Sequence, residues 1–312
     1  MRTRLYLAGT GNVSLNLIKL LSTENKIFSI CGMENSRGQI YSESGMNGKD
    51  MDEFLRHPEE YKKNLDVKNL DFDLYVDMRT ASRNGERERD DYLNMFKGGK
   101  HVVTANKSGL ANFFPEIMDG SLNNEKKIYF EATVAGGLPI FSLIRGSFPS
   151  FNVTRFRGVV NLTSNFIMKK VRSGMSLNEA RDIALREGVA ETDMTDDLDG
   201  TDSARKAVII SNALFGQKLR LKEFNYDGID QENIEKDTML LADISSEGSF
   251  HAESKLFRLG MEDPFFSLDP MGMACEISFK ERKPVFISEN MDGPLETAGA
   301  VLSDLINLSR FL

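Results

Sequence analysis

Through the first 130 residues, short apolar runs alternate with longer stretches of helical period. The runs fall at residues 4–8, 27–31, 72–76, 101–104 and 128–130. Each is too short for a helix, and the spacing leaves room for a helical crossover after each, which predicts an α/β unit with a doubly wound parallel sheet. From residue 132 the texture changes. Ser176 followed by Glu179 is a capping box that opens a helix to Arg186, and Thr201 can cap a second helix. Later runs at 239–244, 249–259 and 274–279 predict strands of a separate sheet, with 246–249 as a hairpin turn. The last periodic stretch, 296–311, reads as an amphipathic helix. The expected organisation is a nucleotide-type unit over 1–131, an α+β unit over 132–292, and a terminal helix within 293–312.

Composition narrows the classes of partner. The chain has 312 residues, 40% hydrophobic and 28% charged, enough for two cores. A formal net charge of -8 argues against nucleic acid or an anionic membrane, either of which calls for a basic stripe. No apolar run reaches membrane-spanning length, and the first strand begins by Leu5 with no signal-like segment before it, so the expected location is cytoplasmic. Cys31 and Cys275 lie far apart in apolar runs, which fits buried thiols better than a disulfide. The three histidines are scattered singly and support neither a metal site nor a triad.

Two segments carry candidate chemistry. Gly9, Gly11 and Ser14 form a GxGxx(S) turn directly after the first strand and before a helix, where a dinucleotide pyrophosphate would meet backbone N–H groups. A tight glycine turn without ligand is the plainer alternative. Downstream, Glu34 could hold the ribose hydroxyls of NAD, and Arg37 could pair with the 2'-phosphate of NADP. The second segment is more unusual. Six carboxylates fall from Glu191 to Asp202, with no basic residue until Arg205. Beyond Gly200, Asp202, Lys206, Ile210 and Leu214 recur every four residues and form one helix ridge, so the acid and the ammonium should point inward with the core residues. Read as an exposed pair, they would contribute about 0.3 kcal/mol and no chemistry. An EF-hand register fails, because it puts Thr195 first and Lys206 last among the ligands.

Across nearly its whole length the chain resembles the homoserine dehydrogenase family. The resemblance is carried by Gly9-Thr-Gly-Asn-Val13, Val102-Val-Thr-Ala-Asn-Lys107, the segment from Glu131 to Pro139, and the acidic segment ending at Lys206. It implies a Rossmann domain, a catalytic domain whose sheet also forms a homodimer, and a C-terminal helix returning to the nucleotide domain, in a short form without regulatory or kinase domains. It further implies interconversion of L-aspartate 4-semialdehyde and L-homoserine with NADP or NAD. By resemblance, Lys206 is the general acid and base, Lys107 a second ammonium, and Glu191, Asp196, Asp197 and Asp202 the substrate carboxylates. Gly9, Gly11, Asn12, Val13, Arg37, Thr80, Lys107, Gly188 and Gly293 would contact the cofactor. Glu131 with the carbonyls of Val134, Gly136 and Leu138 would surround a monovalent cation, sodium or potassium; a glycine hinge is the alternative there.

The chemistry agrees with these residue types, since hydride transfer to an aldehyde leaves an alkoxide that needs a cation and a proton. Asp202 should raise the pKa of Lys206, and burial or Lys107 should lower it again. One departure stands out. Where the family has small hydroxyl residues after its central strand, this chain has Asp77-Met-Arg79-Thr80. Another amino-acid dehydrogenase on a similar scaffold would share the glycine turn without the Glu191, Asp202 and Lys206 spacing. A non-catalytic dinucleotide sensor would have no use for an inward lysine.

Overall fold

A computed structural model of the chain describes residues 2–23, 27–62, 64–235 and 237–311. It divides into two compact units, one running to Gly136 and resuming at Gly293, the other spanning Gly137–Asp292. The first boundary therefore falls after Gly136, where the sequence pattern had put it after Glu131.

In the first unit, β1 (Thr3–Ala8) leads into α1 (Asn12–Thr23), then β2 (Phe28–Glu34), β3 (Gln39–Tyr41) and α2 (Gly48–Arg56). There follow β4 (Leu74–Asp77), α3 (Glu86–Lys97), β5 (His101–Thr104), α4 (Lys107–Asn123) and β6 (Ile128–Tyr129). The sheet order is β3-β2-β1-β4-β5-β6, parallel except for β3, which runs antiparallel to β2. The strand order turns back at β1, with β2 on one side and β4 on the other, and that is where open α/β sheets bind ligands. β1 and β4 are in register as Leu5 with Leu74 and Leu7 with Val76, all without exposure, as continuous apolar runs buried on both faces require. β3 was not expected, because its three half-buried residues are too few to show a period.

The second unit runs α5 (Ile140–Ser147), β7 (Val153–Val159), α6 (Leu162–Arg172), α7 (Leu177–Arg186), α8 (Thr195–Leu198) and α9 (Thr201–Phe215). It continues with β8 (Asn225–Tyr226), β9 (Thr238–Ser245), β10 (His251–Arg258), β11 (Met273–Phe279) and β12 (Val285–Glu289). The sheet order is β12-β11-β7-β9-β10-β8, antiparallel apart from the β8 and β10 pair. The capping box forms: the Glu179 amide donates to the Ser176 hydroxyl, and the Ser176 amide donates to the Glu179 carboxylate. Thr201, expected as a cap, is instead the first residue of α9, and Gly200 takes the cap position at φ +83°. A Cβ on Gly200 would lie 2.1 Å from the Asp227 carbonyl oxygen, so no other residue fits. The chain then returns to the first unit as α10 (Pro294–Ser309), which buries Ala298, Val301, Leu305 and Leu308 in the same core as Leu5, Leu17 and Leu21.

Cys31 and Cys275 are buried and unbridged. No helix among the described residues is long and apolar enough to cross a membrane.

Candidate functional site

The carboxyl ends of β1, β2 and β4 open onto a crevice of about 540 Å³, lined among others by Gly9, Gly11, Glu34, Asn35, Thr80 and Arg87. Gly9 has φ +100°, and a Cβ there would meet the Met78 and Arg79 backbone at 2.7–2.8 Å, so the turn requires glycine. Gly11 is different in kind: nothing lies within 4 Å of the position of its missing Cβ, which projects into open space in front of α1. Asn12 and Val13 form the first turn of α1. Ser14 is fully buried, where the third glycine of such turns allows helix to pack on strand. Backbone donors at a helix N-terminus with open space before them suit a pyrophosphate.

The two ribose candidates differ in freedom. Glu34 is the last residue of β2, and its carboxylate accepts from the Tyr6 and Tyr75 hydroxyls and from Gln39 Nε2, at 3.3, 3.2 and 2.9 Å. Arg37 has a side chain 60% exposed and lies 3.7 Å from Glu59. Arg79, the departure from the family pattern, is bound on three sides. Its Nε and Nη2 donate to the two oxygens of the fully buried Asp77 at 2.9 and 3.0 Å, Nη2 lies 2.8 Å from Asp91, and Nη1 lies 3.7 Å from Glu34. Burial pushes the Asp91 carboxyl up, against the pull of Arg79. The sequence showed Arg79 but not its partners, which come from three different elements.

Lys107 opens α4, whose cap Asn106 accepts from the Ser108 amide at 3.1 Å. Asn106 in turn donates to Glu88 at 3.0 Å. Burial acts to raise the Glu88 carboxyl, but bonds from Ser82 and Arg87 outweigh it and hold the pKa below the usual range. Gly293 is the cap residue of α10. Glu131 is buried and its N–H donates to Asp304 at 2.7 Å; just beyond Val134, Ala135 and Gly136 are both left-handed, at φ +51° and +43°. A carboxylate with main-chain carbonyls is a hard oxygen set of low charge, chemically suited to a monovalent cation. Leu138 belongs to the second unit.

In the second unit the acidic segment resolves into separate roles. Asp202 is buried at the start of α9, and Lys206 Nζ lies 2.8 Å from its Oδ2 while donating to the Val160 carbonyl at 2.6 Å. The predicted ridge thus points inward, with Ile210 fully buried below it. Two of the three ammonium protons are committed, which aims the third. Asn161, at the junction of β7 and α6, donates through one nitrogen to Asp197 Oδ1 and Asp202 Oδ2, both at 2.7 Å. Asp196 pairs with Arg205. Glu191 is exposed, and among the described residues its carboxylate has no hydrogen-bond or ion-pair partner. Gly188 has φ +70° and open space around it. Asp193 is held below the ordinary range by the Thr195 side chain and backbone. Sequence reasoning missed Asn161 and Val160; the available signal was a helix-capping asparagine ahead of an apolar run.

A parallel sheet with a glycine turn at its switch point, together with a lysine held by a buried carboxylate, defines a nicotinamide-dependent oxidoreductase. The homoserine dehydrogenase family matches residues 139–306. The homoserine dehydrogenase of Sulfurisphaera tokodaii is 31% identical over 98% of this chain and 99% of its own length. The crystal structure of the Thermoplasma acidophilum homoserine dehydrogenase superposes with a TM-score of 0.90 at 34% identity, covering 99% of this chain and 100% of that one. A hyperthermophilic archaeal homoserine dehydrogenase in complex with NADPH shares the fold, with a TM-score of 0.86 at 22% identity over 100% of this chain and 99% of that one. The chain belongs to the homoserine dehydrogenase family.

Proposed function

We propose that this chain interconverts L-aspartate 4-semialdehyde and L-homoserine, with Lys206 as proton donor and acceptor. The observation that carries the reading is the geometry of Lys206: two contacts, to Asp202 at 2.8 Å and to the Val160 carbonyl at 2.6 Å, leave one N–H to meet a substrate oxygen. The nicotinamide, when bound, would supply the hydride in aldehyde reduction, as NADPH or NADH, and accept it in homoserine oxidation, as NADP or NAD. In aldehyde reduction the Lys206 ammonium gives its proton to the alkoxide oxygen; in homoserine oxidation the neutral amine takes the hydroxyl proton. Glu191, unpaired among the described residues, binds the substrate ammonium, with Asp202 and Asp197 adding negative charge on the same unit. Asp196, paired with Arg205, adds a further carboxylate for the substrate on the same segment.

Gly9, Gly11, Asn12, Val13 and Thr80 hold the cofactor, whose complex with the hyperthermophilic archaeal relative supports NADPH as one form. Lys107 and Gly293 complete its contacts, and Arg37 takes the 2'-phosphate of NADP. Glu131 with the Val134 and Gly136 carbonyls holds a monovalent cation. The enzyme is a cytoplasmic homodimer, and its buried, unbridged cysteines are in keeping with that compartment. Homoserine-dependent reduction of NADP or NAD by the purified chain tests the reading. No reduction of either cofactor with homoserine, alongside turnover of another amino-alcohol, would replace it.

A further inference from the structure

We propose that Asn161 is a positioning residue for the proton transfer: its side-chain amide joins Asp197 to Asp202 and thereby fixes the carboxylate against which Lys206 is aimed. The inference rests on the reading of Lys206 as proton donor and acceptor.

Asn161 is 3% exposed and uses both ends of its amide. Its Oδ1 accepts from the Ser164 amide at 2.7 Å and caps α6, while its Nδ2 gives one bond to Asp197 and one to Asp202, each 2.7 Å long. Rotating the amide by half a turn would bring its oxygen against two carboxylates and lose the cap, so the side chain has one orientation. The Asp202 oxygen that receives this bond, Oδ2, is also the one beside Lys206 Nζ. The carbonyl of the preceding residue, Val160, takes a second Lys206 proton. One dipeptide therefore sets the positions of groups on α8 and α9.

Two carboxylate oxygens bonded to the same nitrogen lie within twice a hydrogen-bond length of each other. In a partly buried site they would repel strongly without a donor between them. Capping alone does not explain the residue. Ser, Thr and Asp cap helices as well, but only an amide can accept the cap bond and also supply two protons from one nitrogen. Lys206 is faced by Asp202 from its own helix, by the Val160 carbonyl from the β7–α6 junction, and by Asp197 of α8 through Asn161.

The capping and bridging functions can be separated with Asn161→Asp and Asn161→Ser, since both variants retain an oxygen that can accept from the Ser164 amide. The full-length variants should lower kcat for homoserine oxidation by about 10- to 100-fold, the scale of a small misplacement of catalytic groups. NADPH binding, read by nicotinamide fluorescence, should stay as in the unaltered chain. Asn161→Asp should also move the acidic limb of the kcat/KM profile to higher pH, because a third carboxylate favours the charged form of Lys206; Asn161→Ser should not. Unchanged kcat and an unmoved pH profile in both variants would overturn the inference, as would losses that follow only the fraction of unfolded protein. If the unaltered chain fails to oxidise homoserine, the functional reading falls by itself. NMR titration of the Lys206 side chain then decides the role of Asn161: an upward move in Asn161→Asp supports the coupling, and an unmoved midpoint ends it.

Discussion

Lys206 has three ammonium protons, and Asp202 and the Val160 carbonyl fix two of them. Removing the side chain takes away the proton path and leaves the nucleotide crevice intact. Lys206→Ala should therefore cut kcat by about two to four orders of magnitude, the usual loss when general acid-base catalysis goes, with cofactor affinity in calorimetry unchanged. Arg79 works in the opposite sense, as a structural cation. Replacing it with Met would leave Asp77 fully buried without its guanidinium, and breaking such a pair costs about 3–5 kcal/mol. Denaturant unfolding of Arg79→Met should show a loss of that size; a near-neutral change would mean Asp77 is satisfied by the Tyr92 hydroxyl and the backbone amide of residue 79. At this scale the sequence revealed the residues that repeat on one helix. Asp202 and Lys206 were legible because four-residue spacing is a local rule, whereas Asn161 meets Asp202 only through the fold.

Elements show the same division between local and distant causes. The glycine turn after β1 was legible because its strand, turn and helix are contiguous. Its test is Gly11→Val, which fills the open space ahead of α1 and should abolish dinucleotide binding; unaltered affinity in titration calorimetry would place the pyrophosphate elsewhere. α7 carries its capping box in four consecutive residues and was equally readable. β7 and β12 were not. β7 carries Arg155 and Arg157 where an apolar alternation would show, because Asp243 of β9 and Asp263 neutralise them across space. β12 is an edge strand with only half-buried and exposed positions, so it has no core-facing period to read.

For the whole molecule, buried bases set one pH dependence. His101 is buried and its Nδ1 accepts from the Lys127 amide, and burial, aided by Lys126 and Lys127, lowers its pKa from 6.5 to about 4. Between those values the unfolded chain binds a proton there that the folded chain does not. This part of the stability is present above 6.5 and is lost as the pH falls toward 4. His101→Gln should flatten the decline in denaturation midpoint across that window; an identical slope would assign the decline to other groups. α10 supplies a second test. Leu305 is fully buried in the core of the first unit, and Leu305→Ala should cost about 2–5 kcal/mol in denaturant unfolding, with stability near that of the unaltered chain ruling out that packing. That helix also orders events during synthesis. The ribosome makes all of residues 137–292 before Pro294–Ser309, so the unit started first is finished last. Until α10 arrives, Leu17 and Leu21 lack part of their cover, and the growing chain presents a sticky surface to chaperones for as long as the inserted unit takes to translate.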